Sequence, residues 1–395
     1  MNTKLFNKII FNPLFQLIIV IAAVSVCYTK IAPEMVRFFL TISIFLRELL
    51  IFVLPFLLFS FVAVALSAIP KEGMVFVLGL MIAVFVSNFL NIMVSGWVGS
   101  FVLSGMETHP MPASQTTFSP FFELHLPHVA STVQSLLAGV SVGFLNAFFP
   151  NKHVSLILHF MHDYVMKFMK KFFVPLLPAF VGGFLLKLFS EGKMIGFVGN
   201  NTRVCVMMCG VLWLYLALWL LAAASFNIKK AARIFKTAFP AIVTAFSTMS
   251  SAAALPLSLE AARKNTNDPV LADAVMPLTL NFHMVGDTIL VPVMAMMVLL
   301  AFNYPLPSVP NFILFGVFFI LNKFAGGGVP SGTIMVTVPV LEKYLGFDDS
   351  MTAFIIALYG IIDPIATSGN VAANNFFVII FQKIRGVFKK RLERH

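Results

Sequence analysis

Apolar runs separated by short polar segments dominate the pattern of this chain. The runs long enough to cross a bilayer as helices lie at 11–29, 36–68, 74–104, 128–150, 154–188, 194–226, 270–302 and 350–384. Of the 395 residues, 59% are hydrophobic and 11% are charged, which is typical of polytopic membrane proteins and not of soluble domains. The pattern therefore predicts an all-α membrane protein with eight transmembrane helices.

Two further apolar stretches, at 229–263 and 309–345, are interrupted at mid-length by small and polar residues. Each flanking half has about 14 residues, and a helix of that length spans roughly 21 Å, less than the ~30 Å hydrocarbon core. Irregular backbone at membrane depth is stable only where protein buries it or where it lines a wet cavity, so we predict two re-entrant hairpins. Paired interruptions of this kind mark the binding sites of secondary transporters.

The net charge is +11, and the basic residues cluster at the ends of apolar segments. Such clusters favour the cytoplasmic side of a membrane, so they indicate orientation and not nucleic-acid binding. Basic residues flank the first hairpin and both chain termini, whereas residues 104–128 and 303–311 contain no Lys or Arg. We therefore expect cytoplasmic termini, a first hairpin open to the cytoplasm and a second open to the outside. These inverted repeats would permit alternating access to a site at mid-membrane.

The last predicted span carries a polar stripe. Asp363, Thr367, Asn370 and Asn374 are spaced by four, three and four residues, so they share one helix face. An ionised carboxylate at membrane depth is costly without a partner. The stripe therefore either binds an ammonium group or a cation, or forms a polar seam between helices in which a basic residue pairs with Asp363.

The span predicted at 270–302 contains a second polar group. His283 and Asp287 lie four residues apart on one helix face, and Gly286 allows the helix to unwind and expose carbonyl groups. Because histidine titrates near neutrality, the pair could carry a proton. A buried hydrogen-bonded pair without a role in transport fits the same spacing.

The tips of the two predicted hairpins contain hydroxyl side chains and glycines that leave the backbone accessible to a ligand. Ser250 and Ser251 supply the hydroxyls of the first tip, and glycines in the second permit close approach of a ligand. The helix that begins after each tip points N–H groups toward mid-membrane, which suits a carboxylate. Lys323, just before the second tip, either snorkels out of the membrane or contacts an anion.

Other features of the sequence exclude several classes of site and function. Three cysteines without a CxxC spacing predict reduced thiols and no disulfide framework or zinc site. The chain contains no Walker A, GxSxG or HExxH motif, so we expect no enzyme activity and no cofactor. The neighbouring residues Arg47 and Glu48 predict a local ion pair.

These motifs, in this order, resemble those of the dicarboxylate/amino acid:cation symporter family, which has the glutamate transporter fold. The resemblance covers nearly the whole chain and is most specific over 229–384. It rests on the serine-rich tip at 247–251, the second tip at 328–332, the motif at 283–287 and the stripe of the last span. It implies a homotrimer that works as an elevator.

The resemblance also implies a division of the chain. Residues 1–73 (spans one and two) and 111–193 (spans four and five) would form a scaffold. Residues 74–110 (span three) and 194–395 would form a mobile transport core with spans six to eight, both hairpins and the basic C-terminal tail. The second hairpin would be the outer gate, and its tip residues are Gly326, Gly327, Gly328, Pro330 and Gly332.

Only some of the residues that contact substrate in the family have counterparts of the same type in this chain. Asp363 matches the aspartate that holds the α-amino group of the substrate, and Asn370 matches the residue that meets the α-carboxylate. Ser251 and Val329 match hairpin positions that contact substrate, Thr367 matches a helix position that does so, and Ser250 of the serine-rich tip is a further candidate for substrate binding. Ala366 stands where an arginine would pair with an acidic side chain, and alanine supplies no charge. A neutral amino acid is therefore favoured over an acidic one.

The cation sites depart further from the family. At positions that match sodium ligands, this chain has His283, Val285, Asn374 and Gly326. Two carboxylates are thereby lost, and the remaining sodium ligands would be Asn374, Asn370 and backbone carbonyls. Asp287 either replaces a missing aspartate or joins His283 in carrying a proton. We expect coupling to a proton or to fewer sodium ions.

The sequence thus predicts a secondary active symporter that moves a small amino acid across the cell inner membrane. Its partners would be the substrate, the coupling cation (H⁺ or Na⁺), membrane lipid and further copies of the chain. The alternative is a sodium-coupled glutamate, aspartate or C4-dicarboxylate carrier that uses Lys323 in place of the arginine. An ion channel is a more distant alternative, because the sequence shows neither rings of charge nor a repeated carbonyl filter.

Overall fold

Helices in this protein begin and end where side-chain caps and left-handed residues require. Ser250 and Asp268 each accept a backbone N–H from the helix that follows them. Met249 and Asn267 end the preceding helices in left-handed conformation, with φ of 49° and 54°. The structure is a computed structural model that describes residues 13–67, 74–104, 118–122, 124, 126–127, 129–130, 132–168, 171–172, 174–326 and 332–392.

The described part of the chain is helical, which confirms the predicted all-α class. In order, the first helices are α1 (Pro13–Cys27), α2 (Pro33–Ser67), α3 (Met74–Ser104), α4 (Thr132–Phe148), α5 (Lys152–Phe168), α6 (Val174–Ser190) and α7 (Lys193–Ala223). They continue with α8 (Ile228–Thr248), α9 (Ser251–Thr266), α10 (Pro269–Phe282), α11 (Val285–Ala301), α12 (Val309–Gly326), α13 (Gly332–Leu345) and α14 (Asp349–Leu392). These described residues include no β-strand.

Four helical segments within the described residues are long and apolar enough to cross a bilayer. They are Val75–Ser104, Val206–Ala223, Pro269–Ala301 and Asp349–Gly386. Such segments are what a polytopic membrane protein requires. The full set of eight spans, the re-entrant placement of the hairpins and the elevator movement stay predictions.

Two described helices, α5 and α6, cover the span predicted at 154–188. α5 ends at Phe168, and α6 begins at Val174. The single span at 154–188 stays a prediction, because residues 169, 170 and 173 lie outside the described residues and Lys171 and Phe172 between them are helical.

Residues 1–77, 100–202 and 294–361 form one compact unit. In it, α2 packs against α4, α5 and α6, and α1 also packs against α6. Glycine allows the closest of these approaches, because a Cβ atom at Gly183 would overlap the backbone oxygen of Phe39. The helices of the second predicted hairpin, α12 and α13, pack against each other and against α2.

An ion network in this unit connects α2 to α13 and to the start of α14. Arg47 Nη2 lies 2.7 Å from Glu342 Oε1 and 2.9 Å from Asp349 Oδ1. Glu48 Oε1 is farther from the guanidinium, at 3.9 Å from Nη1. The local pair predicted for Arg47 and Glu48 is therefore the weaker contact, and the stronger partner Glu342 lies 295 residues along the chain.

Residues 78–99, 203–293 and 362–395 form the second compact unit. Here α8 and α9 pack together as a helical pair at the position of the first predicted hairpin, and α9 packs against α10. Near the end of α14, Gln382 Nε2 donates to Thr266 O (2.9 Å) and Lys383 Nζ donates to Ala223 O (2.7 Å). These two bonds cap the C-terminal ends of α9 and α7. The division into scaffold and transport core at 73, 110 and 193 stays a prediction.

Candidate functional site

The second unit contains a break in a buried helix. α10 ends at Phe282 and α11 begins at Val285, so His283 and Met284 connect them in non-helical conformation. The span predicted at 270–302 is thus interrupted just before Gly286, the residue at which the sequence suggested unwinding. The break frees backbone N–H and C=O groups that a continuous helix would have paired.

Two asparagines from other helices pair with these freed groups. Asn88 of α3 donates from Nδ2 to Phe282 O (2.7 Å) and accepts at Oδ1 from Met284 N (3.3 Å). Asn374 of α14 donates from Nδ2 to His283 O (3.0 Å). Because buried backbone groups without a partner are costly, these two amides hold the break in a single conformation.

Asn370 connects α14 to the first turn of α11. Its Oδ1 accepts from Gly286 N (2.7 Å) and Asp287 N (3.3 Å), and its Nδ2 donates to Asp287 Oδ2 (2.9 Å). The first N–H groups of a helix lack partners within that helix, so Asn370 takes the role of a cap supplied from outside. The structure thereby brings together two of the predicted site residues, Asn370 and Asp287.

The same two helices approach each other backbone to backbone. A Cβ atom at Gly286 would overlap the carbonyl group of Ala366, and one at Gly369 would lie 3.4 Å from Gly286 Cα. Ala366 itself is completely buried. Glycine is therefore required at 286 by the packing of α11 on α14 as well as by the nearby break.

His283 is completely buried, with its two ring nitrogens directed at different helices. Nδ1 lies 3.2 Å from Asn374 Oδ1, and Nε2 lies 2.9 Å from Ser87 Oγ of α3. Because Asn374 Nδ2 already donates to two carbonyls, its Oδ1 is the acceptor, and we infer that Nδ1 carries the imidazole proton. The rings of Trp219 and Phe377 pack against the imidazole, with centroids at 5.4 and 4.5 Å.

Asp363 and Thr367 form a pair one turn apart on α14. Thr367 Oγ1 donates to Asp363 Oδ1 over 2.8 Å, and the two residues are 6% and 3% exposed, respectively. α14 runs through Pro364 without interruption, so these two residues and the asparagines at 370 and 374 share the helix face that their spacing predicted. This stripe is buried inside the protein and does not face lipid.

The first hairpin turns at Met249, and its serines have different positions. Ser250 is the N-cap of α9, where its Oγ accepts from Ala253 N over 3.3 Å. Ser251 is the first residue of α9, and both serines are half-buried. The tip thus presents the N-terminus of a helix, as the sequence predicted, with one hydroxyl engaged in capping.

The second hairpin belongs to the first unit. Gly326 ends α12 and Gly332 begins α13, whereas Gly327, Gly328, Val329 and Pro330 lie outside the described residues. Lys323 is completely buried, and its Nζ lies 4.5 Å from the ring centroid of Phe319. Of the two predictions for Lys323, snorkelling to the surface is therefore wrong, and an anion contact stays a prediction.

The contribution of α3 to the site was not predicted from the sequence. The largely apolar helix α3 carries the adjacent residues Ser87 and Asn88, followed by Asn91 and Ser95 at spacings of three and four, and the last three are completely buried. Ser95 Oγ donates to Ile289 O (2.6 Å), and Tyr215 Oη donates to Asn91 Oδ1 (2.5 Å). That polar spacing was the available signal, because amides and hydroxyls inside a membrane helix need partners on neighbouring helices.

Comparisons with known proteins concern the chain as a whole and identify its family. A model of the sodium:dicarboxylate symporter family matches residues 8–384. The serine/threonine transporters SstT of Acinetobacter baumannii strains AYE and AB0057 are each 24% identical to the chain over 148 residues, 38% of this chain and 36% of each relative. The chain therefore matches little more than a third of the length of these curated relatives. The family consists of transporters, which confirms the prediction that the chain is not an enzyme. The chain belongs to the sodium:dicarboxylate symporter family.

Proposed function

We propose that this chain is a secondary active symporter for a small neutral amino acid. The observation that carries the proposal is the buried carboxylate of Asp363, which shares a helix face with Asn370 and Asn374, the two residues of α14 that bond to the start of α11 and to the α10–α11 break. A carboxylate in a dry environment is stabilised by an opposite charge, and the ammonium group of an amino acid supplies one. The names of the SstT relatives, which specify serine and threonine, support a small neutral substrate.

The charges of the second unit favour a neutral substrate over an acidic one. Its buried side chains that can be charged near neutral pH are Asp287, Asp363 and His283. The Lys and Arg side chains that the structure describes in this unit are exposed or half-exposed. An acidic substrate would add a further carboxylate near two existing ones, and Ala366 supplies no positive charge to offset it. A glutamate, aspartate or dicarboxylate carrier, as the family description suggests, is the alternative.

The hydrogen bonds of the two asparagines favour a proton over sodium as the coupling cation. Asn370 Oδ1 accepts two backbone N–H groups, and its carbonyl oxygen accepts from Asn374 Nδ2 (2.8 Å). Asn374 Oδ1 accepts from the imidazole of His283. A sodium ion bound to these oxygens would compete with the donors that they already accept.

The proposed mechanism keeps the architecture that the family resemblance implies. A homotrimer in the inner membrane, with both termini in the cytoplasm, would move its transport cores as elevators against a scaffold. Substrate and cation would bind together, because each would stabilise the conformation that the other prefers. The second hairpin would close the site to the outside.

Uptake into proteoliposomes, with the two gradients imposed separately, tests this function. Radiolabelled L-serine is expected to accumulate above its equilibrium concentration, with saturable kinetics, when the lumen is alkaline and sodium is absent. Excess unlabelled L-threonine should compete, and excess L-aspartate should compete at least about tenfold more weakly, because Ala366 supplies no positive charge to pair with a side-chain carboxylate.

Three other results would contradict parts of the proposal. Accumulation that requires an inward sodium gradient and ignores pH would identify sodium as the coupling ion. Accumulation of L-aspartate without accumulation of L-serine would establish the acidic-substrate alternative. Passive and non-saturable entry, absent from protein-free liposomes, would establish a channel.

A further inference from the structure

α8 has three faces, which the spacing of its residues defines. One face is buried within its own unit through small and apolar side chains: Ala231, Ile234, Ala238, Ala241, Ile242 and Ala245. The exposed half carries an apolar stripe, Ile228, Phe235, Phe239, Val243 and Phe246. It also carries a basic stripe, Lys229, Arg233 and Lys236, whose side chains are all exposed.

The two stripes lie side by side along the helix. With 3.6 residues per turn, the apolar stripe occupies an arc of about 80° and the basic stripe an adjacent arc of about 60°. Ile228 is 77% exposed, and Phe226, just before the helix, is 74% exposed. On the exposed half of α8, an apolar surface therefore lies directly beside a cationic surface.

The basic stripe does not stabilise its own helix. α8 contains no acidic residue, and Lys229 and Arg233 are like charges one turn apart. Both lie near the N-terminal end, where the helix dipole already places partial positive charge. Three cations in these positions repel one another and the dipole, so an external anion would relieve an unfavourable arrangement.

This end of α8 is also held firmly in place. Asn227 caps the helix by accepting from Lys230 N (3.0 Å), and Lys383 Nζ of α14 donates to Ser225 Oγ (2.7 Å) in the preceding turn. Both stripes therefore lie on a helix whose N-terminal end is held in place by these hydrogen bonds. A fixed cationic surface loses less conformational freedom on binding an anion than mobile side chains on a loose segment would lose.

We propose that this surface binds anionic phospholipid. The ammonium and guanidinium groups of the basic stripe contact headgroup phosphates, and the apolar stripe contacts the acyl chains. A membrane leaflet is the partner in which a layer of negative charge borders apolar material within the length of one side chain. Lysine and arginine suit this boundary because their apolar stems reach along hydrocarbon while their charges stay at the headgroups.

A lipid titration of the full-length protein in detergent tests the proposal. The apparent melting temperature is measured against increasing dioleoylphosphatidylglycerol, or dioleoylphosphatidylcholine, which has the same acyl chains and no net charge. Phosphatidylglycerol is expected to raise the melting temperature at much lower concentration than phosphatidylcholine, and high salt should reduce the difference. Equal effects of the two lipids would overturn the proposal without any variant.

Variants locate the effect on α8. In Lys229→Gln/Arg233→Gln/Lys236→Gln, the phosphatidylglycerol midpoint should rise on the order of a hundredfold, because each basic residue contributes about fivefold. Lys152→Gln/Lys167→Gln/Lys171→Gln removes the same charge from exposed positions in the first unit and should leave the midpoint unchanged. The conservative Lys229→Arg/Lys236→Arg variant should retain the wild-type midpoint. Equal losses in both triple variants, or none in the α8 variant, would contradict the assigned surface.

Discussion

Replacement of Asp363 by asparagine is expected to abolish measurable binding of L-serine. Asparagine has nearly the same shape and can still accept the hydrogen bond that Thr367 Oγ1 donates over 2.8 Å. It cannot supply the negative charge that a buried ammonium group requires. Removal of one partner of a buried ion pair typically costs about 3–5 kcal/mol, which corresponds to a loss of affinity of at least about a hundredfold. Isothermal titration calorimetry of the purified protein measures this loss.

Asp273 offers the matched control for this substitution. Its carboxylate lies in the same unit but is exposed, and it pairs with Arg263 at 2.7 Å. Asp273→Asn removes the same charge and should bind L-serine like the wild type. Wild-type affinity in Asp363→Asn would mean that the ammonium group binds elsewhere.

Replacement of Gly286 by alanine is expected to cause the largest loss of stability. The added Cβ atom would overlap the carbonyl group of Ala366, so α11 and α14 would have to separate. Separation would also stretch the bonds from Asn370 to Gly286 N and Asp287. Overpacking a tight contact and weakening buried hydrogen bonds together cost about 3 kcal/mol or more. The apparent melting temperature in detergent should fall by many degrees, with loss of L-serine uptake.

Gly210→Ala is the control for a glycine in a helix of the same unit. A Cβ atom at Gly210 meets no other atom within 4 Å, so alanine there should be neutral or stabilise the helix by up to about 1 kcal/mol. If Gly286→Ala melted at the same temperature as Gly210→Ala, the close approach of α11 to α14 would be incorrect.

The spacing of polar residues in the sequence was sufficient to predict the part of the site that α14 contributes. The stripe from Asp363 to Asn374 follows directly from spacings of four and three, and the structure buries all of it. The first hairpin also follows from local chemistry, because a serine before an apolar run is a strong N-cap and the turn at Met249 precedes it. Features that depend only on residues close together in the sequence could thus be predicted.

Contacts between residues far apart in the sequence could not be predicted from such local patterns. Asn88 meets the break after Phe282 from a position 194 residues earlier, and no local pattern specifies that meeting. The sequence placed His283 and Asp287 on one continuous face, but the break lies between them, and their hydrogen bonds to α14 reach Asn374 and Asn370 respectively. Which residues pair across a buried seam depends on tertiary packing, because several amides of α14 could serve either one.

The central claim is that a buried carboxylate in this protein recognises the ammonium group of its substrate. Calorimetric comparison of L-serine with L-glycerate tests it most directly, because glycerate has a hydroxyl group where serine has the ammonium and is otherwise the same molecule. Wild-type protein should bind L-serine and bind L-glycerate at least about a hundredfold more weakly, since glycerate brings no positive charge to the buried carboxylate of Asp363. Equal affinity for the two molecules would contradict the account.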